Sequence, residues 1–268
     1  MITTLLKMDV ILASMNPLDH IASKVIYRND LIVFTNHMFM ISLAMVLMLI
    51  LIPLAVGKRA LVRRGFGNAI EATCVFLREE VARPFLKEKT DKYIALLWTM
   101  FFFILTMNLL GMVPLDKIVY LFTAREDNHL GGTATANLWV TGALAVTSFL
   151  MFHIAGIKEN GFLNYFKNFA PKVPIFIMPF IYLMEMISSF VRMFSLAIRL
   201  FANMLAGHVL LGTLMMLIVL FHKTFVSTAS TIFIVMMSLM ELFVAFLQAY
   251  IFTFLTTIFI GLAVHQDH

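Results

Sequence analysis

Of 268 residues, 61% are hydrophobic and only 13% charged, with 27 Phe and 21 Met, so a soluble domain would have too little polar surface to cover its own apolar atoms. A formal charge of +5 does not point to nucleic acid, because no basic cluster is interleaved with base-reading polar residues and the lysines and arginines flank apolar runs instead. The chain is therefore read as an all-α integral membrane protein, and its single cysteine, Cys74, excludes an internal disulfide framework and a cysteine-built metal site.

Residues 1–30 form an N-terminal segment whose opening, "MITTLLKMDVILAS", lacks a convincing small-residue cleavage site and is read as part of the mature chain or as a weak leader. The first span is expected over 31–56, long enough to cross a bilayer core with some tilt. Lys58, Arg59, Arg63 and Arg64 follow at once and hold that end on the cytoplasmic or matrix side, leaving the N-terminus outside. Residues 68–90 mix apolar side chains with Glu71, Arg78, Glu79, Glu80 and Arg83, the pattern of an amphipathic helix lying on the membrane surface. Spans at 93–113 and 137–157 flank a loop of mixed charge containing Asp116, Lys117, Arg125, Glu126 and Asp127. Lys158, Lys167 and Lys172 then place basic residues inside again.

The last third is apolar for longer than a bilayer needs. Residues 175–221 would extend roughly 70 Å as a helix and 231–264 about 50 Å, against a hydrocarbon core of about 30 Å. Either each helix is broken, with Pro179 the evident place in the first, or the two form a strongly tilted hairpin. Tilt is the favoured reading for most of the length. The expected architecture is five crossings plus one surface helix, with the C-terminus inside.

This hairpin carries polar residues that lipid would penalise. Arg199 costs from about 2.5 to more than 10 kcal/mol at the bilayer centre and needs a carboxylate or water. Ser195 and Asn203 lie one turn either side of it, and Arg192 and Glu185 lie two and four turns back on nearly the same stripe. His208 points to the opposite side, about 13 Å further along the axis. On the following helix Glu241 and Gln248 share a face, being seven residues apart. His208 and Glu241 are fourteen residues before and eleven after a turn at 222–230, so an antiparallel hairpin sets them at comparable depth, where carboxylate and imidazole can relay a proton. The plainer readings are interhelical hydrogen bonds for Ser195, Asn203 and Gln248, a packed neutral imidazole for His208, mutual neutralisation of Glu185 and Arg192, and a static ion pair of Arg199 with Glu241 or Glu185. His153 and Asn108 are expected to be packing or hydrogen-bonded residues.

"SLAIRLFANMLAGHVLL", followed some thirty residues later by "ELFVAFLQAYIFTFL", resembles subunit a of the F-type ATP synthase, the membrane stator of the proton-driven Fo motor; "MNLLGMVP" and "TATANLWVT" fit the preceding spans of that family. The resemblance implies a surface helix and a long, nearly membrane-parallel hairpin packed against a ring of subunit c hairpins, each with one essential carboxylate. It implies that Arg199 faces the ring, keeps an arriving carboxylate ionised and separates two aqueous half-channels. By the same resemblance Asn203 lines that path, Gln248 stands beside the arginine, and Glu185 lies near the opposite exit. In some bacterial members a glutamate and a histidine occupy the positions of His208 and Glu241; here the pair is exchanged, as in mitochondrial and several other bacterial members, and the relay is retained. Arg192 stands where the family varies. The implied partners are the c-ring, peripheral stalk subunits, lipid and the transported H⁺, with no cofactor, no metal and no catalytic site of its own, in a mitochondrial inner membrane or a bacterial plasma membrane. A secondary transporter using Arg199 for an anionic substrate is the competing class, but no inverted repeat or clearly broken mid-membrane helix supports it. An intramembrane hydrolase lacks a metal-ligand motif or a nucleophile beside His208 and Glu241.

Overall fold

The computed structural model describes residues 25–28, 33–56, 65–113, 115, 133–162, 165, 177–221 and 224–264. The topology-setting residues Lys58, Arg59, Arg63, Arg64, Lys167 and Lys172, the mixed-charge residues 116–127 and most of the N-terminal segment lie outside the described residues. Strands β1 (Val25–Arg28) and β2 (Val33–Thr35) pair antiparallel, Val25 opposite Thr35 and Arg28 opposite Val33. The apolar run starting at Leu31 consequently becomes helical only at Asn36, the first residue of α1 (Asn36–Val56).

Among the described residues, five helices are long and apolar enough to cross a membrane. The first, α1, is apolar along most of its length, which suits a helix with lipid on most sides, and Ser42 returns its hydroxyl to the Met38 carbonyl at 2.9 Å so that this polar group is not left unpaired. From Phe66 the chain is helical to Met112 in pieces: α2 (Phe66–Phe76), a π-helical stretch Leu77–Ala82, α3 (Arg83–Leu86), a 3₁₀ turn Lys87–Lys89, and α4 (Thr90–Met112). Pro84 explains the irregularity, since it has no N–H for the Glu80 carbonyl and the turn before it widens. A 3₁₀ turn, Ala134–Ala136, precedes α5 (Leu138–Asn160). The remaining helices, α6 (Met178–Phe221) and α7 (Thr224–Val264), are each continuous. Pro179 does not break α6 because it stands at the second helical residue, where its missing N–H is unneeded. At 44 residues α6 is about 66 Å long, so it cannot stand upright in a bilayer core.

Packing divides the chain into two units: Met1–Ala44, Leu105–Val140 and Leu200–Leu247; and Met45–Ile104, Thr141–Arg199 and Gln248–His268. The first has a core of small residues and methionine, with Ala136, Met204 and Ala245 buried beside Met112. Small residues let helix backbones approach closely, and here Asn108 Nδ2 donates to the Ala245 carbonyl at 3.2 Å, the hydrogen-bonding role expected for it.

The second unit has a conventional large-residue core, with Leu86, Leu97, Phe152, Tyr165 and Ile260 almost wholly buried. His153 Nδ1 meets the Tyr165 hydroxyl at 2.7 Å, so this lone polar residue is hydrogen-bonded inside the packing. Thr253, Thr256 and Thr257 of α7 return their hydroxyls to carbonyls four residues back at 2.8–2.9 Å. At the water-facing ends, Glu159 pairs with Lys89 at 3.0 Å and with Lys92, and accepts from the Tyr93 hydroxyl at 3.0 Å. Gly161, at φ +78°, closes α5 and its N–H donates to the Ile157 carbonyl at 2.9 Å, the left-handed stop that glycine adopts without strain.

Candidate functional site

In the first unit α6 and α7 run antiparallel from the connection at 222–223, and this brings His208 of α6 and Glu241 of α7 together. His208 Nε2 lies 3.8 Å from Glu241 Oε1, within ion-pair range for a protonated imidazole and beyond hydrogen-bond length. The close approach depends on Gly207: a Cβ there would stand 2.8 Å from Glu241 Oε1 and 3.1 Å from its Cδ. Both side chains are sequestered, at 18% exposure for His208 and 7% for Glu241. Among the described residues neither carboxylate oxygen has a hydrogen-bond partner, and His208 is the group placed to compensate a charge on it.

Two further features bear on the pair. A cavity of about 220 Å³ lined by Asn203, Gly207, Met237, Met240, Glu241 and Val244 opens against the carboxylate, with room for several water molecules. Thr133, buried just before the 3₁₀ turn, sets its hydroxyl against His208 Nε2 and also donates to the Gly111 carbonyl at 3.2 Å. Sequence reasoning gave Thr133 no role; its only signal was a polar residue inside "TATANLWVT". Asn203 is exposed and lines the cavity mouth. A buried carboxylate, an imidazole and adjoining space for water can accept and pass protons.

The second unit holds the other expected residues. Glu185 Oε1 accepts from Arg192 Nη2 at 3.3 Å, both side chains being about a third exposed, and the Arg192 guanidinium stands 5.5 Å from the Phe259 ring centroid. Arg199 is exposed and within its unit pairs with no described carboxylate. The alternative of a static pair with Glu185 is not realised, because Glu185 is taken by Arg192 two turns away whereas Arg199 lies about 21 Å along the axis. Gln248 is 4% exposed, and its Nε2 has no hydrogen-bond partner among the described residues. Ser195 is exposed.

Comparison with known proteins bears on what such a site serves. Residues 38–261 match the family described as ATP synthase A chain. The chain is 38% identical over 239 residues to an ATP synthase subunit a from Anaeromyxobacter sp. strain Fw109-5, an alignment covering 87% of this chain and 55% of that protein. It is 40% identical over 218 residues to the subunit a of Myxococcus xanthus, covering 79% of this chain and 67% of the relative, and 37% identical over 211 residues to that of Chlorobium phaeobacteroides, covering 76% and 56%. The alignments thus span between about half and two thirds of those relatives' lengths.

Proposed function

The chain belongs to the family of ATP synthase A chains, and from that premise we propose that it is the Fo stator subunit through which proton flow turns a ring of carboxylate-bearing proteolipids and thereby supports ATP synthesis. With five apolar helices and bacterial relatives, it is an integral protein of a bacterial plasma membrane, which removes the mitochondrial alternative. The observation that carries the functional reading is the buried His208–Glu241 pair beside a cavity, a proton-accepting site inside a helix hairpin otherwise made for lipid.

A proton enters at His208 and Glu241, passes along Asn203 and neutralises a ring carboxylate. Only in the neutral form does that carboxylate travel through lipid, since an ionised carboxylate there costs several kcal/mol. After almost a full turn it meets Arg199, whose permanent guanidinium charge favours ionisation, and the proton leaves towards Glu185. Arg199 also separates the entry and exit half-channels, with Gln248 beside it as an amide that still has a donor to give. The exposure of Arg199 supports a side chain that meets the ring, and the bulky apolar Phe190, Phe194 and Ile198, exposed roughly 100–180° round α6 from it, support lipid on the other side of the helix. The peripheral stalk is the other implied partner. The subunit forms and breaks no covalent bond to substrate; its part is to hold and move protons.

The test is passive proton flux through reconstituted Fo carrying Arg199→Ala under an imposed potential. We expect a leak that persists when ring rotation is blocked. A membrane as tight as with unmodified Fo would overturn the assignment of Arg199 as the barrier.

A further inference from the structure

Thr133 is 3% exposed, and its hydroxyl touches two groups that ask different things of it. The Gly111 carbonyl, 3.2 Å away, can only accept a hydrogen bond. His208 Nε2 can donate or accept according to where the imidazole carries its proton. A hydroxyl has one hydrogen and two acceptor lone pairs. While its hydrogen is committed to Gly111, the contact with Nε2 is satisfied only if Nε2 bears a proton and donates it. The nitrogen thus kept protonated is the one 3.8 Å from Glu241 Oε1.

We propose that Thr133 is a positioning residue for His208: its hydroxyl holds the transferable proton on the nitrogen facing Glu241, and then follows that proton's departure. The proposal rests on the reading of His208 and Glu241 as a proton relay. The transfer runs as follows. An imidazolium, protonated on both nitrogens, gives its Nε2 proton to the Glu241 carboxylate through water from the adjoining cavity, the 3.8 Å gap being too long for a direct hydrogen bond, and leaves a neutral imidazole with hydrogen on Nδ1 and a neutral carboxylic acid. The pair carries no net charge before or after. Nε2 is now bare and must accept, so the Thr133 hydroxyl turns about its Cβ–Oγ1 bond from the Gly111 carbonyl to Nε2. The hydroxyl's donated hydrogen bond moves from the carbonyl to the nitrogen, so its hydrogen is satisfied in both states and Nε2 has a partner before and after. A valine of the same shape can serve neither state, and a backbone amide in the same place could only donate. Gly111 permits the arrangement, since a Cβ at that position would run into the Thr133 side chain.

The experiment compares Thr133→Val and Thr133→Ser in the assembled, reconstituted synthase, reading ATP-driven proton pumping. Valine keeps the shape and removes the hydroxyl, and pumping is expected to fall about fivefold, the equilibrium equivalent of one buried hydrogen bond. Serine keeps the hydroxyl and removes the methyl, and should restore the rate to within about twofold of the parent, because the bond is retained. If Thr133 only fills space, the ranking reverses. Serine slower than valine, or valine at the parental rate, would overturn the proposal. His208→Ala separates this failure from that of the relay reading: full pumping by that variant rejects the relay itself, whereas loss of pumping there beside a normal Thr133→Val rejects only the role of Thr133. Should Thr133→Val not assemble, nitrogen-15 spectra of the histidine-labelled full chain in lipid nanodiscs decide the matter, with the His208 signals identified by difference from His208→Gln. The parent should show neutral His208 protonated at Nδ1, its bare Nε2 accepting from Thr133, and the valine variant a mixture of tautomers. An unchanged tautomer in the variant would reject the proposal.

Discussion

Gly207→Ala tests whether the spacing of the His208–Glu241 pair matters to its work. The added Cβ would begin 2.8 Å from Glu241 Oε1, whereas ordinary contact starts near 3.4 Å, so the carboxylate must retreat by roughly 0.6 Å. The retreat is away from α6, the helix that carries His208, and at its largest stretches the 3.8 Å gap to about 4.4 Å. With an effective dielectric of about 20, the attraction between imidazolium and carboxylate weakens by about 0.6 kcal/mol, close to a factor of three in the population of the charged pair. The backbone responds in the opposite sense. Alanine is preferred over glycine inside a helix by about 1 kcal/mol, and the group that must move is the free end of a flexible side chain. ATP-driven pumping in proteoliposomes should therefore drop about threefold while the thermal unfolding midpoint of the purified chain stays level or rises. An unchanged pumping rate would refute the claim that the gap controls the relay. A midpoint several degrees lower would refute the picture of a carboxylate free to give way.

Two other substitutions probe the second unit. At Gly156 the obstacles are the Tyr165 ring and, at 3.0 Å, the Ala263 carbonyl, neither of which can step aside, so Gly156→Ala should destabilise by about 1–3 kcal/mol; a thermal midpoint at or above the parent's would contradict that packing. Arg192→Leu gives up a partly exposed pair with Glu185 and keeps apolar contact for Phe259, so stability should change by less than about 1 kcal/mol and pumping by less than about twofold. A larger fall in pumping at unchanged stability would make Arg192 part of the exit path.

The length and hydropathy of the helices were legible in the sequence because lipid imposes them directly: a span needs a certain apolar length, and a much longer one cannot stand upright. Where α1 begins was not, because the pairing of Val33–Thr35 with Val25–Arg28 is a contact that hydropathy does not register. The widened turn before Pro84 was missed for a similar reason, since composition gives the amphipathic face and says nothing of one absent N–H. In the site, the meeting of His208 and Glu241 followed from comparable distances about a turn, fourteen residues before it and eleven after, and the Glu185–Arg192 pair from a spacing of seven. Thr133 reaches His208 across 75 residues of sequence, from a short 3₁₀ turn with no periodicity to tie it to α6. Gly207 read alone is only a weak point in a helix; its purpose belongs to the residue facing it.

The distribution of unmet polar atoms separates the two units by purpose. Among the described residues, buried side-chain nitrogens and oxygens without partners occur on His37, Asn108, Thr135, Glu241 and Gln248. The first four belong to the first unit, and Gln248 is the residue at which the second resumes. Elsewhere in the second unit several polar groups answer one another: Glu159 with Lys89, Lys92 and Tyr93, His153 with Tyr165, and Asn160 Nδ2 with the Ala263 carbonyl at 2.9 Å. An unpaired polar atom in hydrocarbon costs several kcal/mol, and a helix hairpin that kept such atoms merely for packing would be better served by alanine or leucine. Apart from that of Gln248, these atoms share the first unit with a small-residue core and with Gly207, and under the proposed function they are what water and moving protons would require. On that reading, the first unit bears the local penalties that proton conduction demands.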